Sequence, residues 1–118
     1  MEFWEEIAMM QVRAKPDECR SMQEVRHGID RLDEQMVALL GERFRYMDAA
    51  ARIKLSREAV RDEARKAQVI ANAVAAAGRE GVPADFVAAL YEMLVEASIA
   101  YEFQRFDAIR AGSFRLPA

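Results

Sequence analysis

Cysteine and histidine are nearly missing from this sequence. Its 118 residues hold one of each, Cys19 and His27. No internal disulfide can form, and no cluster of Cys and His ligands can be built for a metal. Proline and glycine are scarce too, at three and five. Alanine, glutamate, arginine and leucine abound instead, a balance of helix formers that favours an all-helical chain. No apolar run approaches the ~20 residues that a membrane helix needs. The start, MEFWEEIAMMQVRAKP, has no basic segment leading into an apolar one. The expectation is a protein with no signal peptide and no membrane span, working in the cytoplasm. A formal net charge of −3 argues against a general nucleic-acid binder. Hydrophobic residues make up 53% of the chain, so composition excludes disorder, and the length suits one domain.

The breakers that do occur divide the chain. Residues 1–17 are weakly patterned and read as an N-terminal extension, partly disordered. Ser21 and Glu24 have capping-box spacing and start a first helix. No proline intervenes before Lys54, and Gly28 and Gly41 are isolated. At about 1.5 Å per residue this helix exceeds about 45 Å. Residues 55–61 read as a loop through loss of periodicity. Asp62 can cap a second helix from about 63 to 78, ended by Gly78 and Gly81. Pro83 stands where a first-turn proline belongs, and a third helix follows over about 84–111. The folded domain is placed at 18–112, with 113–118 as a frayed tail. A first helix of that length outruns two shorter partners, so its surplus apolar surface calls for homodimerisation.

The helical stripes are interrupted by charge. Val25, Ile29, Leu32, Met36, Leu39, Arg43, Tyr46, Ala50 and Lys54 recur at steps of three or four, the spacing of one helix face. Val87, Tyr91, Leu94, Ser98, Glu102 and Phe106 do the same on the third helix. A core-facing charge is costly unless it is paired or meets a ligand. Two cations on one seam and a carboxylate on another point to an anion pocket inside a helical bundle. Arg43 and Lys54 are eleven residues apart, about 16 Å along the axis. Arg26, seventeen residues before Arg43, is too far away to reach the same small ligand within one subunit, but a partner's pocket is open to it. Asp62 and Arg65 are i, i+3 neighbours. The plain alternative is that Arg43 and Lys54 snorkel to the surface and that Asp62 and Arg65 form a surface pair worth little.

The segments VRHGIDRLDEQMVALLGER (25–43), AARIK (50–54), AVRDEAR (59–65) and EASIAYEFQRFD (96–107) carry a resemblance. The chain resembles the small all-helical chorismate mutases and the related isochorismate pyruvate lyases, over roughly Asp17 to Ala111. The resemblance implies three helices per subunit in an intertwined homodimeric bundle with two shared active sites. It makes Arg26 the arginine that enters from the partner subunit and Arg43 the arginine that holds a substrate carboxylate. Lys54 becomes the lysine at the ether oxygen and the other carboxylate. Asp62 and Arg65 head the second helix of the site, and Ser98 lies near the ring carboxylate. Glu102 stands where many bacterial relatives have glutamine, and Lys66 where they have a glutamate that contacts the substrate hydroxyl.

The chemistry so implied suits the residues present. Chorismate is a dicarboxylate with an enolpyruvyl ether, and its rearrangement to prephenate is pericyclic. No nucleophile, metal or cofactor is required. The protein must fold a flexible substrate into its reactive shape and stabilise charge at the breaking ether bond. Arginine forks suit carboxylates. Lys54 supplies a point charge, and a protonated Glu102 can donate a second hydrogen bond. Alanine at position 54 should leave the fold intact. The expected activity is that of a chorismate mutase, an isomerase of aromatic amino-acid biosynthesis. An isochorismate pyruvate lyase serving salicylate or siderophore synthesis uses a similar site and is the alternative. A non-catalytic helical dimer that binds a small anion or a protein is the alternative of another class.

Overall fold

The computed structural model describes residues 14–113, and the expectations for residues 1–13 and 114–118 lie outside them. The described residues form α1 (Met22–Ile53), α2 (Glu63–Glu80) and α3 (Ala84–Ser113), with 3-10 turns at Pro16–Glu18 and Arg57–Val60. There is no strand among them, so the fold is all-α, as the composition predicts.

Each helix starts where its local chemistry dictates. At the head of α1, Ser21 Oγ accepts the Glu24 N–H at 3.1 Å. Glu24 turns back onto the Arg20 N–H at 3.1 Å, one residue earlier than a standard capping box. Asp62 caps α2 by accepting the Arg65 N–H at 3.0 Å. The end of α2 differs from expectation. The helix runs through Gly78 to Glu80, and only Gly81, at φ 70°, takes the left-handed conformation. Its N–H closes on the Ala77 carbonyl. α3 begins after Pro83, whose carbonyl accepts the Val87 N–H at 3.2 Å, and continues to Ser113, two residues beyond the expected end.

The chain divides into two compact units, one up to Arg43 and one from Phe44 onward, and α1 runs through the division. In the second unit α2 and the Arg57–Val60 turn pack on α3. Its core gathers Ala51 from α1, Val60 from the turn, and Val95, Ile99 and Phe106 from α3. Val69, Ile70, Phe103 and Ile109 close around them. The predicted α3 stripe is the one that is buried, with Val87, Ser98, Glu102 and Phe106 all inside.

The first unit corrects an expectation. The period of the α1 seam implies a core-facing side, yet Ile29, Leu32, Met36 and Leu39 are exposed in the single chain, as is Tyr46 farther along. The apolar period is real, but these side chains are exposed among the described residues. A small apolar hollow of about 190 Å³ lies beside Val25, Ile29 and Leu32, under Ala14, Pro16 and Cys19. No helix among the described residues is long and apolar enough to cross a membrane.

Candidate active site

The buried face of α3 carries two polar side chains one turn apart. Ser98 and Glu102 are 3% and 4% exposed amid Val95, Ile99 and Phe106. A carboxylate in such surroundings needs a counter-charge. Lys54, the first residue after α1, supplies it. Its Nζ lies 2.7 Å from Glu102 Oε2 and 3.5 Å from the Val60 carbonyl. Ser98 Oγ donates to the Leu94 carbonyl at 2.7 Å, one turn back. Among the described residues no buried side-chain nitrogen or oxygen lacks a partner.

The remaining predicted residues are placed as follows. Arg43 is half-buried on α1 and engaged. Arg26 is exposed on the first unit and lines an open polar recess with Gln23, Glu24, His27 and Asp30. Asp62 serves as the α2 cap. The Arg65 guanidinium donates to Gln68 Oε1 at 2.7 Å. Half-buried Lys54 thus pairs with buried Glu102, with buried Ser98 one turn away on α3, while Asp62 and Arg65 bond to the first turns of α2.

The sequence reading missed a charge network that fastens the turn to α3. Arg61 grips both Glu96 oxygens, at 3.0 and 3.1 Å, and reaches Glu63 at 2.9 Å. Lys66 pairs with Glu92 at 2.6 Å and Glu96 at 3.3 Å. The Arg61 guanidinium, assisted by Lys66 against burial, holds the Glu96 carboxyl below its ordinary value. Glu92 above all raises the Lys66 ammonium. Apart from Arg61–Glu63, these pairs join residues 26 to 35 positions apart, so local spacing gave no sign of them beyond Glu92 and Glu96 sharing a face at i, i+4. Nearby, Asp48 accepts from the Tyr101 hydroxyl at 2.8 Å and Arg105 Nε at 3.0 Å. The Asp48 hydrogen bond raises the Tyr101 hydroxyl.

An all-α fold thus pairs a cation at the end of one long helix with an acid on the buried face of another. The family model of chorismate mutase type II matches residues 25–103, and the chain belongs to that family. Isochorismate pyruvate lyase of Pseudomonas aeruginosa is 32% identical over 89 residues, spanning 75% of this chain and 88% of that protein.

Proposed function

We propose that this chain is a homodimeric chorismate mutase that converts chorismate to prephenate in the cytoplasm. The observation that carries the reading is the Lys54–Glu102 pair at 2.7 Å, with buried Ser98 one turn away. The pericyclic step moves electrons within one molecule and transfers no group to the protein. Its demand is a cation, and a second donor, where the ether oxygen gains charge. Lys54 takes the first role and Glu102, in its acid form, the second. Arg43 takes one carboxylate and Lys54 also meets the other, while the partner's Arg26 enters the site and Ser98, Asp62 and Arg65 complete the substrate contacts. The exposed Ile29, Leu32, Met36 and Leu39 stripe supports a second copy as the cover that α1 needs.

A second reading, isochorismate pyruvate lyase, is favoured by the relative at 32% identity. It is also favoured by Lys66. That position offers no acid for a substrate hydroxyl and is tied to Glu92 and Glu96. In that reaction isochorismate yields salicylate and pyruvate, again with no external reactant. Incubating pure protein with chorismate and with isochorismate, separately, separates the two. Prephenate from the first supports the mutase, and salicylate with equimolar pyruvate from the second supports the lyase. No turnover of either leaves the non-catalytic dimer standing.

A further inference from the structure

The last carbonyls of an α-helix have no partner within the helix and must find one elsewhere. The common solution is a left-handed glycine just past the end. Among the described residues only Gly81 has positive φ, and it closes α2. α1, which ends at Ile53, is closed differently. Arg110, from the last turns of α3, donates Nη1 to the Ala51 carbonyl and Nη2 to the Lys54 carbonyl. The fork geometry of a guanidinium suits two adjacent carbonyls, and its charge suits the negative end of the helix. Its Cζ also lies 3.7 Å from the centroid of the Phe106 ring. That ring is 7% exposed and belongs to the core. The fork is therefore held on a fixed surface.

Ser98, Glu102, Phe106 and Arg110 follow one another at steps of four on α3. One face of α3 thus holds Lys54 at both ends. Glu102 takes the ammonium and Arg110 takes the backbone carbonyl, eight residues or about 12 Å apart along the helix.

We propose that Arg110 is a positioning residue for Lys54, anchoring the lysine's backbone so that only its side chain moves when the ammonium turns from Glu102 to a ligand oxygen. The inference rests on the reading of Lys54 as the cation at the reacting oxygen. The anchor matters most where placement is critical, in the transition state. Losing it therefore lowers turnover more than it weakens substrate binding.

The test uses full-length Arg110→Met, which keeps an apolar stem on Phe106, and Arg110→Lys, which can meet one carbonyl. With whichever substrate the wild type turns over, kcat of Arg110→Met should fall about tenfold or more while KM stays within about threefold. Millimolar guanidinium ion should restore part of it, and Arg110→Lys should lie between. Hydrogen exchange of the Lys54 amide, bonded to Ala50 in the last turn of α1, should quicken about tenfold relative to α2 and α3 amides. Unchanged exchange, or faster exchange with unchanged kcat, overturns the proposal. If Arg110→Met does not fold, a wild-type kcat in Arg110→Lys with guanidinium giving no further gain overturns it equally. A wild type inactive on both substrates sinks the functional reading instead, and the exchange measurement still decides whether Arg110 anchors Lys54.

Discussion

Lys54 Nζ and Glu102 Oε2 meet at 2.7 Å across 48 positions of chain, and the two ends of the pair are unequally buried. The glutamate side chain is 5% exposed and the lysine side chain 30%. The lysine is thus the less buried partner of the two. The carboxylate is the end that cannot be left alone.

This inequality sets the expected effect of Lys54→Ala. From sequence, alanine at that position suits the helix and the fold should not notice. The structure adds a stability cost to that expectation, because the substitution strands Glu102 in the core. The cost should be about 2–3 kcal/mol, below the ~3–5 kcal/mol of a fully buried pair because one end keeps water. The double variant Lys54→Met/Glu102→Gln should recover most of it. Urea unfolding of the three proteins at one concentration measures this. Equal midpoints for Lys54→Ala and wild type would show that the pair is energetically idle. In turnover, both variants that lack the ammonium should lose at least about a hundredfold.

Glu102→Gln isolates the acid. A carboxylate accepts hydrogen bonds and a carboxylic acid can donate one, whereas an amide donates at every pH. If a donor at position 102 assists at the ether oxygen, the glutamine variant, which always has one, should keep wild-type turnover within about tenfold. Turnover of the two proteins, measured side by side, decides it. A glutamine variant without turnover removes Glu102 from the donor role.

The sequence revealed most where one chain segment carries the whole signal. Ser21, Asp62 and Gly81 act on their own helix ends through bonds to residues four or fewer positions away. The α3 stripe also read correctly, because its period is filled by residues of the same chain. The α1 stripe has the same period, yet its side chains are exposed among the described residues, and period alone cannot say what supplies a cover. Lys54 and Glu102 stood out because each breaks an apolar pattern. Arg61 and Glu96 break none, and Arg110 stands one step past the end of the α3 stripe. They are charged residues at positions where charge is ordinary, and only the packing of distant turns gives them partners.

The exposed α1 stripe predicts a dimer that depends on it. Met36 and Leu39 are 55% and 64% exposed, so glutamate at either position costs the single chain little. In a dimer the same change buries a charge on an apolar seam. Leu39→Glu should weaken association at least about a hundredfold, the worth of one large apolar side chain plus an unpaired charge. Light scattering across a dilution series measures it. An undisturbed dimer would place the interface elsewhere. If Arg26 completes the partner's site, Arg26→Ala and Arg43→Ala proteins refolded together should regain up to about a quarter of wild-type activity, the share of intact sites under random pairing. No recovery despite demonstrated mixed dimers would remove Arg26 from the shared site.

The network at Glu96 predicts acid sensitivity of a definite sign. Arg61, and after it Lys66, hold the Glu96 carboxyl below its ordinary value of 4.5 in the folded chain. The unfolded chain therefore takes up this proton at higher pH than the folded one. The stabilisation is present above the ordinary value and is lost as pH falls from there through the depressed folded value. Glu96→Gln removes the group that titrates. It should lower the thermal midpoint at pH 7 and show a shallower loss between about pH 5 and pH 3 than the wild type. The two curves should converge at the acid end. Because Arg61 and Glu96 are solvent-accessible partners, with side chains 41% and 42% exposed, added salt should shrink the difference at pH 7. Thermal melts at fixed protein concentration, with and without about 0.5 M sodium chloride, check both parts. Parallel pH curves for the two proteins would mean that the network holds the turn at Arg57–Val60 without contributing to stability through the charge of Glu96.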